Sequence, residues 1–193
     1  MMITKSQPLQ GQIILGLIAD THVPDRARRL NPGALPVFEE AGVSQILHAG
    51  DISIPSVLRE LEELAPVLAV RGNRDWFGFK HLPMQRVVKV GEKRVGLTHG
   101  HGSGRLYLKD KLQYLLYGPQ KFEFFMQRAL GLISDVDVLV FGHNHEPIVK
   151  EIDGLLVVNP GSACCQMLPG RSPSVGLLYV DGAIVRAEIV DLD

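Results

Sequence analysis

The sequence has little cysteine, and the two cysteines that it has are neighbours. Cys164 and Cys165 are the only cysteines among the 193 residues. Neighbouring Cα atoms lie about 3.8 Å apart, which is below the usual range for a disulfide-bonded pair. We therefore expect two reduced thiols, as in a cytoplasmic protein, and the alternative is a redox switch.

The sequence also lacks an excess of charge of one sign and a long apolar run. It carries 20 basic and 21 acidic residues, which gives a formal net charge of −1. Dedicated nucleic-acid binders and membrane-surface proteins usually carry a clear basic excess. A bilayer-spanning helix needs about 20 consecutive apolar residues, and no stretch approaches that length. We expect a cytoplasmic protein that binds neither nucleic acid nor a membrane.

Apolar runs alternate with helical patterns along most of the chain. Residues 1–11 are polar and are predicted to form a flexible tail, and residues 12–193 a single domain. A helix is predicted between Asn31-Pro32 and Gly42, and a hairpin around Gly91-Glu92-Lys93. Further strands are predicted at 13–19, 44–49, 67–70, 136–141, 155–158, 175–180 and near 183–190. This order is typical of an α/β domain with mixed sheets.

Residues 103–134 have a different pattern, with two apolar stripes at helical spacing on either side of Gly118-Pro119. The first stripe consists of Leu108, Leu112, Leu115 and Leu116, and the second of Phe122, Phe125, Met126, Ala129 and Leu130. One interpretation is a helical hairpin packed on the core. The alternatives are a lid or a subunit interface, because such surfaces favour aromatic residues, and this segment is rich in them. A homo-oligomer formed through 103–134 is therefore among the expectations.

Polar motifs with potential metal ligands follow five of the apolar runs. They are Asp20-Thr21-His22, Gly50-Asp51, Gly72-Asn73-Arg74-Asp75, His99-Gly100-His101 and Gly142-His143-Asn144-His145. Ligand sites in α/β sheets form at the carboxyl ends of strands, so these motifs are expected to meet at one edge. Residues i and i+2 of an extended chain point the same way, so each Asp-x-His or His-x-His pair can reach one centre. The candidate metal ligands are Asp20, His22, Asp51, Asn73, His99, His143 and His145.

This ligand set indicates two metal ions rather than one. Imidazole and carboxylate groups suit Zn, Mn, Fe or Ni, and no thiolate is placed to join them. Seven ligands exceed the needs of one tetrahedral ion and suit two ions that share a carboxylate. Two ions about 3.5–4 Å apart form a clamp for in-line displacement at phosphorus.

With these residues in this order, the sequence resembles the calcineurin-like metallophosphoesterases, and most closely their small single-domain bacterial and archaeal branch. The segment Asn159-Pro160-Gly161-Ser162 is similar to one typical of that branch. The resemblance implies a sandwich of two mixed β-sheets flanked by helices. It also implies that three residues hold each ion and that Asp51 bridges both. The first set is Asp20, His22 and His145, and the second is Asn73, His99 and His143.

The resemblance implies a phosphodiesterase that acts on a small phosphodiester. A hydroxide between the two ions would attack phosphorus opposite the leaving oxygen, with Asp51 and Asn73 in the catalytic centre. The metals and nearby donors would stabilise charge on the phosphoryl oxygens. The backbone amides of residues 161–162 are further candidate donors.

One residue departs from the family pattern, because many members carry histidine where this chain has Arg74. A guanidinium stays protonated and is a poor proton donor, but it can bind phosphate bidentately. Arg74 is therefore a candidate substrate-binding residue, with a structurally paired arginine as the alternative. His101 is the other candidate for proton donation or substrate contact, against an ordinary loop histidine. His48 and His81 are interpreted as structural.

Two other functions remain open from the sequence. A non-catalytic interaction scaffold is one, because the retromer scaffold subunit resembles the same branch. The other is a nuclease, since the superfamily includes nucleases, but the neutral charge argues against it. The full ligand set favours the enzyme.

Overall fold

The computed structural model describes residues 11–75, 78–118, 122–164 and 170–192, so the predicted tail lies outside the described residues except for Gly11. The first half of the chain forms β1 (Ile13–Ile18), α1 (Ala34–Ala41), β2 (Gln45–His48), α2 (Pro55–Glu62), β3 (Val67–Ala69), β4 (Gln85–Val90) and β5 (Lys93–Thr98). The second half forms α3 (Gly104–Tyr117), α4 (Phe122–Leu132), β6 (Val138–Val140), β7 (Ile148–Ile152), β8 (Leu155–Asn159), β9 (Ser174–Asp181) and β10 (Ile184–Asp191).

The strands form two mixed sheets of five strands each. The first sheet has the order β10-β9-β1-β2-β3, and the second has the order β4-β5-β6-β8-β7. In the first sheet β1, β2 and β3 are parallel. In the second sheet β5, β6 and β8 are parallel. The prediction of a two-sheet α/β architecture is therefore confirmed. The first sheet has its antiparallel strands, β9 and β10, on one side only, whereas the second has an antiparallel strand at each edge.

Three apolar layers hold the sheets and helices together. The layer between the sheets includes Leu17 from β1, Leu47 from β2 and Leu97 from β5. On the outer side of the first sheet, Phe38 of α1 packs against it, close enough to Gly16 that a Cβ there would lie 2.9 Å from the ring. β1 is thus buried on both faces, which explains its uninterrupted apolar sequence.

Two predicted element boundaries differ from the structure. α1 begins at Ala34 rather than at Asn31-Pro32, because the Asn31 side chain accepts a hydrogen bond from Gly33 N at 2.9 Å and forms a separate turn. The predicted stop at Gly42 is confirmed, with Gly42 in the left-handed conformation. The hairpin turn contains only Gly91 and Glu92, since Val90 pairs with Lys93.

Strand β7 has no counterpart among the predicted strands. It is an edge strand whose middle residues are exposed, so its sequence lacks the continuous apolar run of the central strands. It pairs antiparallel with β8 through a turn at Asp153-Gly154, where both residues have positive φ. Asp-Gly is a strong local indicator of a hairpin and could have revealed the strand.

The two helices of the 103–134 segment differ in how they pack. Met126 and Ala129 of α4 are buried against the outer side of the second sheet, as predicted for that stripe. The α3 stripe is not packed on the core, because Leu108 is 70% exposed and Leu115 is 79% exposed. The interpretation of a wholly core-packed hairpin is therefore wrong for α3. The side chain of Phe122 lies outside the described part.

In the described part of the chain, no helix has both the length and the apolar character needed to cross a membrane. Cys164 is buried, while Cys165 lies outside the described residues.

Alanine substitutions in α3 and α4 should differ in their effect on the free energy of unfolding. Met126→Ala is expected to lower the free energy of unfolding by about 2–5 kcal/mol, because it leaves a cavity in a closed layer. Leu112→Ala should change it by less than about 0.5 kcal/mol, because an exposed side chain loses little burial. Denaturant unfolding of both variants measures the difference. A large loss at Leu112 would instead mean that this face is covered in solution, which sedimentation analysis of the oligomeric state would then test.

Candidate metal centre

The predicted ligands all lie just beyond the carboxyl ends of parallel strands. Asp20 and His22 follow β1, and the other four groups follow β2, β3, β5 and β6. The residues in those groups are Asp51, Asn73, His99, His143 and His145. Sequence reasoning predicted one edge of one sheet, whereas the structure brings together the edges of two packed sheets.

Backbone strain is concentrated at these positions. Five of the seven candidate ligands have φ between 48° and 78°, a region that non-glycine residues rarely adopt. They are Asp20, His22, Asp51, His143 and His145. Each such residue costs on the order of 1–3 kcal/mol and persists only where its surroundings hold it. The strain therefore marks this edge as a functional site independently of the residue types.

Close backbone approach explains two of the glycines that precede ligands. A Cβ on Gly72 would lie 2.2 Å from both the backbone nitrogen and Oδ1 of Asp51. A Cβ on Gly142 would lie 2.8 Å from Oδ2 of Asp20. Any larger residue at either position would displace a candidate ligand.

Asp20, His22 and His145 converge on one point. His22 Nε2 lies 3.1 Å from His145 Nε2, and Asp20 Oδ1 lies 3.2 Å from His145 Nε2 and 3.6 Å from His22 Nε2. Asp20 is fully buried, and its Oδ1 has no hydrogen-bond partner among the described residues. Burial of an unpaired carboxylate oxygen is unfavourable unless another group satisfies it.

A second cluster contains Asp51, Asn73 and His99. His99 Nε2 lies 2.9 Å from Asn73 Oδ1 and 3.4 Å from Asp51 Oδ1. The other ring nitrogen, Nδ1, lies 2.8 Å from the carbonyl oxygen of Ala49. Donation from Nδ1 to that carbonyl leaves the Nε2 lone pair directed towards the cluster.

His143 belongs to neither tight group. The groups whose ligand atoms lie within 4.8 Å of one another are Asp20-His22-His145 and Asp20-Asp51-His99. The His143 ring centroid lies 5.0 Å from that of His99, so His143 borders the second cluster. Its backbone nitrogen donates to Asp20 Oδ2 at 2.9 Å, which links the two strand ends.

Burial keeps several of these side chains in the form that binds metals. It lowers the pKa of His22 to about 4 and that of His143 well below the usual value. Both imidazoles are therefore neutral at pH 7, as a metal ligand must be. Burial raises the pKa of Asp51 to about 6, and a nearby cation would lower it again.

The geometry of the first group fits a divalent ion. Ligand atoms about 2.0–2.2 Å from a tetrahedral ion lie roughly 3.3–3.6 Å from one another. The observed separations of 3.1–3.6 Å are close to that range. An ion would also satisfy the unpaired Asp20 Oδ1. The residues present can therefore hold a metal ion.

Asp75 organises the site through hydrogen bonds to backbone amides. Its Oδ2 accepts hydrogen bonds from Asp51 N at 2.9 Å and from Gly72 N at 2.7 Å. Its Oδ1 accepts from Ile52 N and Ser53 N, both at 2.8 Å. One buried carboxylate thus ties the loop after β2 to the loop after β3.

The Asn159–Ser162 segment supports the opposite side of the site. Asn159 Nδ2 donates to Gly142 O at 3.2 Å and to Asn144 Oδ1 at 2.6 Å. Ser162 Oγ donates to the carbonyl oxygen of Asp20 at 2.8 Å. The Gly161 amide donates to Asn159 Oδ1 at 2.9 Å, so it is not available to phosphate as the sequence had suggested.

The remaining histidines and Arg74 lie in different surroundings. Arg74 Nη1 forms a half-exposed ion pair with Asp25 Oδ2 at 3.1 Å, while its backbone nitrogen donates to Asp51 Oδ1 at 2.8 Å. His101 is buried, and its ring centroid is 5.2 Å from that of His99. His48 is buried and accepts at Nδ1 from Gly50 N at 3.2 Å, whereas His81 is exposed in a loop.

A cavity of about 330 Å³ opens onto the clustered ligands. Its wall includes the aromatic residues Tyr107, Tyr114 and Phe125 and the cations Arg26, Arg74 and Lys111. Helix α3 therefore contributes to the mouth of the site as well as to the outer surface. An anionic ligand with a flat apolar portion matches this combination.

Replacing the carboxylate of Asp75 should damage both stability and metal binding. Asp75→Asn removes one of the two acceptor oxygens and leaves backbone donors of the β2 and β3 loops unpaired. We expect a loss of about 2–3 kcal/mol in the free energy of unfolding and weaker binding of Zn²⁺ or Mn²⁺. Thermal unfolding with and without each ion tests this. Asp153→Asn, at an exposed turn position, is the matched control and should behave like the unmodified chain.

Comparison with known proteins agrees with this geometry. Residues 13–183 match the calcineurin-like phosphoesterase superfamily domain. A probable metallophosphoesterase of Methanothermobacter thermautotrophicus is 38% identical over 178 residues, which is 92% of each chain. A phosphodiesterase of Methanocaldococcus jannaschii is 28% identical over 192 residues, covering 92% of this chain and 99% of that protein.

A solved structure shows the same fold. The crystal structure of Vps29 from Entamoeba histolytica complexed with zinc superimposes with a TM-score of 0.64 at 25% identity. The superposition covers 94% of this chain and 100% of that one. Fold, clustered ligands and family match agree, and the chain belongs to the calcineurin-like phosphoesterase superfamily.

Proposed function

We propose that the protein is a phosphodiesterase that depends on two divalent metal ions. The observation that carries this proposal is the convergence of two adjacent ligand clusters, joined by Asp20 and Asp51, at the floor of a cationic cavity. Two ions held side by side suit in-line phosphoryl displacement, because they can stabilise both the attacking and the leaving oxygen. The phosphodiesterase among the relatives supports the same reaction class.

Each cluster would hold one ion. Asp20, His22 and His145 would bind the first, while Asn73 and His99 would bind the second, with Asp51 shared between them. His143 would complete the second site by a small movement of its ring, since it already borders His99. Such ions lower the pKa of a coordinated water and neutralise charge on phosphoryl oxygens. Mn, Ni, Zn and Fe all suit these donors.

The reaction would be hydrolysis of one P–O ester bond. Water supplies the new oxygen on phosphorus and releases one proton, and the departing alkoxide takes up one proton. The strained loops and the Asp75 hydrogen bonds would hold the ligands in place throughout, so that little reorganisation accompanies the charge shift. The aromatic wall would accept the apolar part of the substrate beside the scissile phosphate.

Arg74 would bind a phosphoryl oxygen in this proposal. Its half-exposed pair with Asp25 is weak, as surface ion pairs are, and can be exchanged for a contact with phosphate. His101 would not be the proton donor expected from the sequence, because it lines a neighbouring cavity and not the cavity above the clusters. Esters with good leaving groups, which depart without a proton, are therefore the preferred assay substrates.

A non-catalytic scaffold is the second candidate. The exposed leucines of α3 favour it, because a large apolar surface often marks an interaction site. The two candidates differ in turnover. A scaffold would bind metal without hydrolysing esters, whereas a phosphodiesterase would bind metal and hydrolyse esters.

Hydrolysis of bis-p-nitrophenyl phosphate beside p-nitrophenyl phosphate is the direct test. Chelated protein should be inactive, and Mn²⁺, Ni²⁺, Zn²⁺ or Mg²⁺ added back singly should restore turnover of the diester with at least one ion. Asp51→Asn should lower kcat by about 100-fold or more, because a neutral amide would hold the two ions less tightly than the shared carboxylate, and one electrostatic group of a catalytic centre contributes about that much. Asp153→Asn is the control. Metal binding without turnover under all four ions would favour the scaffold.

Removal of the Arg74 side chain should affect substrate binding more than the chemical step. Arg74→Ala is expected to raise KM about tenfold or more, since hydrogen bonds with charged groups contribute about 1.5–3 kcal/mol. Asp25→Ala, which releases the same guanidinium, should leave KM unchanged or lower it. Steady-state kinetics of both variants distinguish the roles. An unchanged KM in Arg74→Ala would mean that Arg74 does not bind the substrate and only forms the surface ion pair with Asp25.

A further inference from the structure

A second cavity of about 390 Å³ adjoins the metal centre. Asn73 and Tyr107 line both cavities, so the two spaces share a boundary at a candidate metal ligand. A substrate bound at the clusters could therefore extend across this boundary. No residue of the second cavity other than Asn73 belongs to the predicted ligand set.

Two cations line the second cavity without a carboxylate partner. The Arg71 side chain donates from Nη2 to the sulfur of Met84 at 3.2 Å, and Lys80 is exposed. Neither forms an ion pair within the part of the chain that the structure describes. Asp75 is the acidic residue of the wall, but its two oxygens already accept four backbone hydrogen bonds. The cavity is therefore electropositive and has unused donors.

The opposite wall adds polar groups of the same kind. Gly104, the first residue of α3, lines the cavity, so the positive end of the helix dipole lies beside it. His101 also lines the cavity and is 6% exposed. The two cations and the helix N-terminus together form a site suited to an anion.

We propose that this second cavity binds an additional anionic group of the substrate, most simply a second phosphate. This inference rests on the proposed phosphodiesterase function and narrows its substrate class to phosphodiesters with a further phosphate on one arm. The aromatic wall of the first cavity would hold the organic part between the two phosphates. Nucleotide derivatives have this composition. Arg71 and Lys80 would then determine specificity rather than catalysis.

Two matched substrates test the proposal. One is the p-nitrophenyl ester of thymidine 5′-phosphate, and the other is the same ester with an additional 3′-phosphate. Both release p-nitrophenol from the same kind of bond, so they differ only in the second anion. With the restoring metal ion present, kcat/KM should be about tenfold higher for the doubly phosphorylated ester, the value of one charge-assisted hydrogen bond.

Substitutions in the second cavity should abolish this preference. Arg71→Gln and Lys80→Ala are each expected to bring the ratio of the two kcat/KM values close to one, mainly through KM of the doubly phosphorylated ester. Because the ratio is measured within each variant, a loss of folded protein does not affect it. Lys150→Ala removes an exposed lysine of edge strand β7 and should leave the ratio unchanged.

The outcomes separate this inference from the function on which it rests. Equal hydrolysis of both esters by the unmodified chain, or a preference that survives both cavity substitutions, would overturn the second-anion site and leave the phosphodiesterase intact. Failure to hydrolyse either ester with any ion would overturn both. A preference lost in Arg71→Gln and Lys80→Ala but kept in Lys150→Ala would establish the site.

Discussion

The metal centre depends on the packing of the two sheets against each other, because neither sheet carries a complete set of ligands. The first sheet supplies Asp20, His22, Asp51 and Asn73, and the second supplies the remaining histidines. The apolar layer between the sheets aligns their parallel strands so that the carboxyl ends meet. A change in that layer would therefore alter the separation between ligands before it unfolded the chain. Burial of apolar surface is a non-directional interaction, but here the close packing that it produces sets the distances between the polar metal ligands.

The second requirement is that the loops at this edge hold strained conformations. Five ligands have positive φ, and this strain has a cost that local hydrogen bonds must exceed. Asp75 holds the loops after β2 and β3, while Asn159 and Ser162 hold those after β6 and β1. These three residues contact no clustered ligand atom directly, yet each fixes the backbone from which a ligand projects. The supporting hydrogen bonds are thus as necessary to the site as the ligands themselves.

The order of the motifs predicted the ligand positions, because ligand sites in α/β folds form at the carboxyl ends of strands. This rule can be applied to a sequence alone. The four hydrogen-bond partners of Asp75 could not be predicted, since they are backbone amides, which carry no sequence information. The exposure of the α3 leucines was left open for a related reason. A helical period shows that a stripe exists but not which neighbour covers it. β7 was missed because an edge strand lacks the apolar run that marks a buried one, although Asp153-Gly154 was available as a turn signal.

The formal net charge describes the whole chain and not the surface beside the clusters. A formal charge of −1 argued against polyanionic partners, yet cations line both cavities beside the clusters. Electrostatic forces at physiological ionic strength are screened over about 8–10 Å, so a substrate responds to the nearest groups and not to the sum over the chain. Bound ions would add positive charge at the same place. The locally positive edge of a nearly neutral protein can therefore attract a multiply charged phosphodiester, and this attraction should weaken as salt concentration rises.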